Sequence, residues 1–183
     1  MIHKFLILSP GRTGGPGRTG SQLIANALQD QFHISAYFWY TVSDNDRIIH
    51  CHDQPNIPDK FNWTLIIIRR HNEFNGAISQ VIADTTKEWS RYTNKQIDSV
   101  DVSIGHFKSI LDVRRDYYNK IDIDGYTSVV DIYFEDVLQY SYYLFEQLGI
   151  PNVITQIKTE KSPYGKEIIS NYKELEKYWL ENY

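Results

Sequence analysis

Residues 5–24 join an apolar run, a glycine-rich loop and the start of a helix within one short stretch. Residues 5–8 are continuously apolar, which is typical of a central parallel strand that is covered on both faces. Residues 10–20 are rich in Gly, Arg and Thr, and apolar residues recur at helical spacing over residues 21–31. Such loops hold phosphate in α/β proteins, because their N–H groups and the dipole of the following helix favour an anion. The stretch therefore predicts an anion site at the start of the first helix.

The loop contains the pentapeptide Pro-Gly-Arg-Thr-Gly twice, at residues 10–14 and 16–20. The helix must begin after the second copy, because the helical spacing of apolar residues starts there. Arg18 is therefore the favoured cation, and the backbone N–H groups near Ser21 complete the predicted cradle. Arg12 in the first copy remains the alternative cation, and a surface salt bridge is the alternative role for Arg18.

Whole-chain composition restricts the classes of function. The 183 residues predict one domain, residues 1–183, with a core that needs no disulfide bonds. A net charge of −4 disfavours a general nucleic-acid binder. The single cysteine, Cys51, excludes an intramolecular disulfide and a four-cysteine zinc site, and it favours a reducing, cytoplasmic location. The short apolar run near the N-terminus predicts neither a secretion signal nor a membrane span.

Further strands and helices alternate along the chain. A short strand is predicted at residues 47–53, a buried strand at residues 63–68 and a further strand at residues 126–133. Helices are predicted at residues 73–89, 101–121, 134–147 and 168–181. This alternation predicts an α/β fold, a three-layer α/β/α arrangement with a mostly parallel sheet of about four or five strands. Ligands bind at the carboxyl ends of such strands. The glycine loop and the two arginines at residues 69 and 70 both fall at that edge.

Two common nucleotide-binding loops fit this sequence poorly. In a Walker A loop, Lys and then Ser or Thr follow the second glycine, whereas Ser21 and Gln22 follow Gly20 here. The lysine that reaches the terminal phosphates is missing, which disfavours an ordinary NTPase and leaves a kinase-like P-loop enzyme as an alternative. A dinucleotide-binding loop lacks the acidic residue that contacts the ribose. A non-catalytic anion-binding module is the other alternative, because the duplication alters the loop.

The sequence resembles the family of sulfotransferases that use 3′-phosphoadenosine 5′-phosphosulfate (PAPS), in particular its short bacterial or viral-type members. Residues 16–22 look like the family's 5′-phosphosulfate loop. The strand that ends at Arg70, with Ser79 on the next helix, looks like its 3′-phosphate motif. Residues 130–137 and 144–151 are similar to the family's strand-then-Glu-Asp segment and to its Leu-Gly-Ile-Pro helix end. These motifs follow one another in the family's order.

The resemblance implies a fold, a donor and a set of site residues. The fold is the P-loop NTPase-like sulfotransferase fold, and PAPS is the sulfuryl donor, with no metal. The acceptor is a hydroxyl group on a small molecule or a glycan, and neither nucleic acid nor a membrane is expected as a partner. The implied cofactor-binding residues are Gly17, Arg18, Thr19, Gly20, Ser21, Gln22, Arg70 and Ser79.

The resemblance also implies two catalytic residues, Arg18 and His52. Arg18 stabilises the charge that builds on the leaving oxygen, and His52 takes the proton of the acceptor hydroxyl. Period-two alternation places His50 and His52 on the same face of a strand, with Asp53 adjacent. A surface or hydrogen-bonded pair of histidines is the alternative, and a metal site built from these three residues is the least favoured interpretation.

Three further groups have a structural interpretation beside the functional one. Glu135 and Asp136 match the acidic pair of the family, and we assign them a structural role because carboxylates favour the start of a helix. The lysines of residues 158–166 either close over the 3′-phosphate or form a solvated loop. The aromatic residues 37–40 either line a ligand pocket or pack in the core.

Overall fold

A computed structural model describes residues 4–10, 20–33, 35–38, 47–86, 99–140, 142–151 and 166–183. Within these ranges the chain forms five strands and six α-helices. In chain order they are β1 (Phe5–Leu8), α1 (Ser21–Phe32), β2 (Ala36–Phe38), β3 (Ile48–Cys51), β4 (Thr64–Arg69), α2 (Glu73–Thr86), α3 (Ile104–Asn119), β5 (Ser128–Tyr133), α4 (Phe134–Gln139), α5 (Tyr143–Gln147) and α6 (Tyr172–Asn182).

The five strands form one sheet with the order β2-β3-β1-β4-β5, and every neighbouring pair is parallel. The prediction of an α/β fold with a parallel sheet is therefore confirmed. The strand order differs from both orders typical of dinucleotide-binding and flavodoxin-like domains, in which β2 lies next to β1. Because β1 lies at the centre, the glycine loop leaves the middle of the sheet's carboxyl edge.

Helices cover both faces of the sheet, which gives three layers. Side chains alternate along β1: Phe5 and Ile7 pack in one core with α1, α4 and α5, whereas Leu6 and Leu8 pack in another core with α3. Because both faces are covered, all four residues of β1 and the middle of β4 are buried. The continuous apolar runs of these two strands are the expected signature of such burial.

A third apolar cluster joins α2, α3 and α6. Phe74, in the first turn of α2, packs edge-on against Phe107 of α3, with 5.6 Å between the ring centres. Leu175 of α6 is fully buried in the same cluster. This packing holds the start of α2 directly after the end of β4.

Several predicted helix boundaries are wrong, and the last helix begins at Tyr172 instead of residue 168. The helix predicted over residues 134–147 is two helices, α4 and α5, because Tyr140 adopts an extended conformation (φ −133°, ψ 96°). Tyrosine and serine dominate the sequence at this break, and they favour a helix less than Leu or Glu do. The helix predicted from residue 101 begins at Ile104, because the side chain of Ser103 accepts a hydrogen bond from the N–H of His106 (3.2 Å) and caps the helix.

Candidate functional site

The candidate site lies at the carboxyl edge of the sheet, where the ends of β1, β3, β4 and β5 meet. Ser9 follows β1, His52 follows β3, Arg70 follows β4 and Phe134 follows β5. Because all the strands are parallel, these four residues share one edge. Gly17, Arg18 and Thr19 lie outside the described residues, so the described part of the phosphate loop begins at Gly20.

Gly20 occupies a position that only glycine fits. It is the N-cap of α1 and has a φ of 86°, a left-handed conformation that disfavours every residue with a Cβ. A Cβ added to Gly20 would also lie 2.1 Å from two ring carbons of Phe134. The ring of Phe134 therefore packs directly against the backbone at the start of α1.

The same ring supports Arg70. The guanidinium of Arg70 lies over Phe134, with 3.9 Å between Cζ and the ring centre, which is a close cation–π contact. Its Nη1 donates a long hydrogen bond of 3.5 Å to Oε1 of Glu135, and its side chain is 15% exposed. Phe134 thus contacts both the start of α1 and the cation that the 3′-phosphate motif predicts.

The charge at Arg70 persists despite its burial. Burial lowers the pKa of Arg70 and the nearby Arg114 lowers it further, whereas Glu135 and Glu73 oppose the change. An arginine has an ordinary pKa above about 12 and is not deprotonated in proteins. Arg70 is therefore a largely buried cation close to the N-terminus of α1.

The start of α1 offers backbone donors without a carboxylate of its own. Its first turn contains no acidic residue, and the N-cap, Gly20, has no side chain that could accept from the backbone N–H groups. Ser21 is 4% exposed, so its hydroxyl lies within the protein near the predicted cradle. The side chain of Gln22 donates instead to Oδ1 of Asn26 one turn later (2.7 Å) and is directed along the helix. Ser21 and the backbone groups are the described members of the predicted phosphate loop that suit an anion best.

Ser79 lies six residues after the start of α2 and is half-buried. The contacts seen for Arg70 run to Phe134 and Glu135 on α4. The structure therefore links Arg70 to α4, and the predicted pairing of Arg70 with Ser79 stays a prediction.

His52 is held in one orientation by the end of β1. Its Nδ1 lies 3.1 Å from the carbonyl oxygen of Ser9 and 3.5 Å from the Ser9 hydroxyl. Because a carbonyl only accepts, Nδ1 carries the hydrogen, which leaves the lone pair on Nε2. Burial lowers the pKa of His52 against the opposing effects of the Ser9 carbonyl and Asp53, so the ring is neutral near pH 7. A neutral, oriented imidazole is chemically suited to accept a proton.

His50 and Cys51 are buried beside it. His50 is 5% exposed, and burial together with His52 lowers its pKa from 6.5 to about 4. A surface position for these histidines is therefore excluded, because both rings lie inside the protein, whereas the alternative of a hydrogen-bonded histidine fits His52. Burial also raises the pKa of the Cys51 thiol to about 12, which excludes a reactive thiolate there near pH 7. Among the residues that the structure describes, no group of three His, Cys, Asp or Glu side chains could hold a metal ion.

Sequence reasoning missed His71, which ties β4 to α4. Its backbone N–H donates to Oε2 of Glu135 (3.1 Å), and its Nε2 lies 2.9 Å from Oδ1 of Asp136. Its ring also stacks on Tyr133, with 4.1 Å between the ring centres. Glu135 and Asp136 therefore join the ends of two neighbouring strands. A polar residue directly after a strand that ends in two arginines was the only sequence signal for this contact.

Three arginines near this edge contact carboxylates. Arg69 pairs with Asp131 at 2.5 Å and Arg114 pairs with Glu73 at 2.7 Å, whereas the Arg70–Glu135 contact is 3.5 Å. Arg114 is almost fully buried beneath α2, so its pair is structural. Arg70 has the longest of these three ion pairs.

The remaining predicted groups are the lysines of residues 158–166 and the aromatic residues 37–40. Lys158 and Lys161 fall outside them, and Nζ of Lys166 lies 5.1 Å from the ring centre of Tyr172. Tyr37 is 40% exposed on β2, whereas residues 39 and 40 are not among the described ones. Neither interpretation of the lysines or of the aromatic segment is decided by these positions.

No protein-family model matches this chain, and no curated protein matches it in sequence. Within the described part of the chain, no helix has both the length and the apolar character needed to cross a membrane. The function must therefore be inferred from the geometry at the carboxyl edge of the sheet.

Proposed function

We propose that this chain is a sulfotransferase-like enzyme that transfers a sulfuryl group from PAPS to a hydroxyl group on a small molecule or a glycan. The observation that supports it best is the contact of Phe134 with both Gly20 and Arg70. Through this ring, the end of the glycine loop and the predicted 3′-phosphate cation lie close together at one edge. A nucleotide with phosphates at both ends of its ribose needs two such anion sites within a short distance.

The predicted site residues suit the chemistry of sulfuryl transfer. In the reaction, the bond between sulfur and the phosphate oxygen breaks, a bond from sulfur to the acceptor oxygen forms, and the acceptor loses its proton. The amides at the start of α1 and Arg18 hold the charge that builds on the leaving phosphate oxygen. Nε2 of His52 takes the proton, because its Nδ1–H is already committed to the carbonyl of Ser9. Arg70 binds the 3′-phosphate through its guanidinium.

A non-catalytic anion-binding module is the second candidate, and the burial of His52 favours it. His52 is 4% exposed, so an acceptor hydroxyl must approach a ring that is largely covered by the protein. The two candidates share the anion site and differ only in turnover. Transfer of labelled sulfuryl from PAPS to a panel of phenols and sugars separates them, since the module binds without transfer.

Calorimetry with adenosine 3′,5′-bisphosphate tests the donor assignment. We expect Arg70→Lys to weaken binding by about tenfold, because lysine keeps the charge but loses the forked hydrogen bonds and the stacking on Phe134. Arg69→Lys is the matched control, because Arg69 precedes Arg70 directly in the chain and pairs with Asp131. We expect this variant to bind the bisphosphate within about twofold of the natural protein.

Three results contradict the assignment. Absence of binding at millimolar bisphosphate removes PAPS as the donor, and equal losses in the two variants remove Arg70 as its ligand. Binding of ATP with magnesium, without binding of the bisphosphate, supports a kinase-like enzyme instead.

A further inference from the structure

Glu135 joins the two strand ends that frame the candidate site. Its Oε1 accepts the long hydrogen bond from Arg70 (3.5 Å), and its Oε2 accepts from the N–H of His71 (3.1 Å). The side chain of Glu135 is 32% exposed, twice the exposed fraction of Arg70. The carboxylate is therefore the more accessible partner of a cation that the fold holds inside.

The contact between Glu135 and Arg70 is weak for an ion pair. A distance of 3.5 Å lies beyond the usual range for a charged hydrogen bond, whereas the Arg114–Glu73 pair lies within it and the Arg69–Asp131 pair is shorter still. Arg70 has a second support in the ring of Phe134, which itself packs against Gly20. Arg70 therefore keeps its position when Glu135 moves away.

We propose that Glu135 is a built-in competitor for the anion site at Arg70, and that a ligand phosphate binds by displacing its carboxylate. The identity of the ligand rests on the proposed function, whereas the competition rests on the geometry of the two strand ends. Glu135 retains other stabilising contacts after displacement, because it lies in the first turn of α4 and near the N–H of His71.

This exchange makes Glu135 a specificity-determining residue. A ligand displaces Glu135 only if it interacts more strongly with Arg70 than the carboxylate does. A phosphate dianion meets this condition, because it carries more charge and more acceptor oxygens. Monoanions do not gain from the exchange, since they replace one unit of negative charge by another. The site therefore selects phosphate esters over simple carboxylates and chloride.

Calorimetry with two probes, adenosine 3′,5′-bisphosphate and inorganic pyrophosphate, tests the competition. Glu135→Gln keeps the shape of the side chain and an oxygen for the N–H of His71 but removes the charge, and we expect it to bind both probes about tenfold more tightly than the natural protein. Asp131→Asn is the matched control. Asp131 lies on β5, the strand that leads into Glu135, and its loss removes the same charge beside Arg69 instead of Arg70. We expect a change within about twofold.

Glu135→Asp provides a second variant with the natural net charge. Its carboxylate is one methylene shorter and lies farther from Arg70, so we expect an intermediate gain in affinity. Unchanged or weaker binding in Glu135→Gln overturns the competition, as does an equal gain in Asp131→Asn, because the effect then belongs to net charge alone. Failure of every variant to bind either probe overturns it as well. Tighter pyrophosphate binding without bisphosphate binding retains the competition and rejects PAPS as the donor.

Discussion

Substitution of Gly20 by alanine tests the packing on which the candidate site depends. The new Cβ meets two separate penalties. The left-handed backbone at φ 86° costs about 1–2 kcal/mol for a residue with a Cβ. The 2.1 Å approach to the Phe134 ring forces that ring to move and adds about 1–3 kcal/mol, as in other overpacked sites.

Gly125→Ala separates these two penalties. Gly125 has nearly the same conformation, with a φ of 84°, but a Cβ there would lie 3.6 Å from Lys60, which is ordinary contact. We therefore expect Gly125→Ala to cost about 1–2 kcal/mol and Gly20→Ala about 2 kcal/mol more.

Urea unfolding measures the difference directly. With a slope of about 2 kcal/mol per M, the extra cost at Gly20 lowers the unfolding midpoint by about 1 M relative to Gly125→Ala. In a background that carries Phe134→Ala, the extra cost should disappear, because no ring remains for the Cβ to meet. Equal midpoints for the two glycine variants refute the packing of Phe134 on Gly20, and with it the link from the glycine loop to Arg70.

Two further predictions concern the frame of the site. Gly76→Ala should destabilise the fold by about 1–2 kcal/mol, although alanine favours helices more than glycine does. The reason is that the new Cβ would lie 2.6 Å from Nη2 of the buried Arg114. A gain in thermal stability contradicts this contact. Because the pKa of His50 falls from 6.5 to about 4 on folding, the unfolded chain binds more protons between these values, and stability decreases as pH falls through this window. His50 contributes about 2 kcal/mol to the loss from pH 7 to pH 5, so the loss should be smaller by about this amount in His50→Gln, as measured by urea unfolding at the two pH values; an equal loss in both proteins contradicts the burial of a neutral His50.

The parallel character of the sheet, but not its strand order, could be predicted from the sequence because buried parallel strands have a strong local signal. The apolar runs at residues 5–8 and 63–68 correspond to β1 and β4, and the alternation with helices implies their parallel pairing. The break between α4 and α5 could not be predicted, since the tyrosines around residue 140 weaken a helix without ending it by a glycine or proline signal.

The candidate site was only partly predictable for a different reason. Arg70 and Gly20 could be identified by their positions after a strand and before a helix. The ring that connects them could not, because Phe134 is far from both in the chain and its contacts depend on how α4 packs. The contact of Glu135 with Arg70 could not be predicted either, because it depends on β4 and β5 being neighbours in the sheet.

The most direct test of the proposed function is a crystal structure of the chain with adenosine 3′,5′-bisphosphate bound. We expect the 5′-phosphate at the amides that begin α1, beside Arg18 and not Arg12. We expect the 3′-phosphate on the guanidinium of Arg70, with the carboxylate of Glu135 moved away from it. A ligand bound away from the carboxyl edge of the sheet, or a 3′-phosphate without contact to Arg70, contradicts the account.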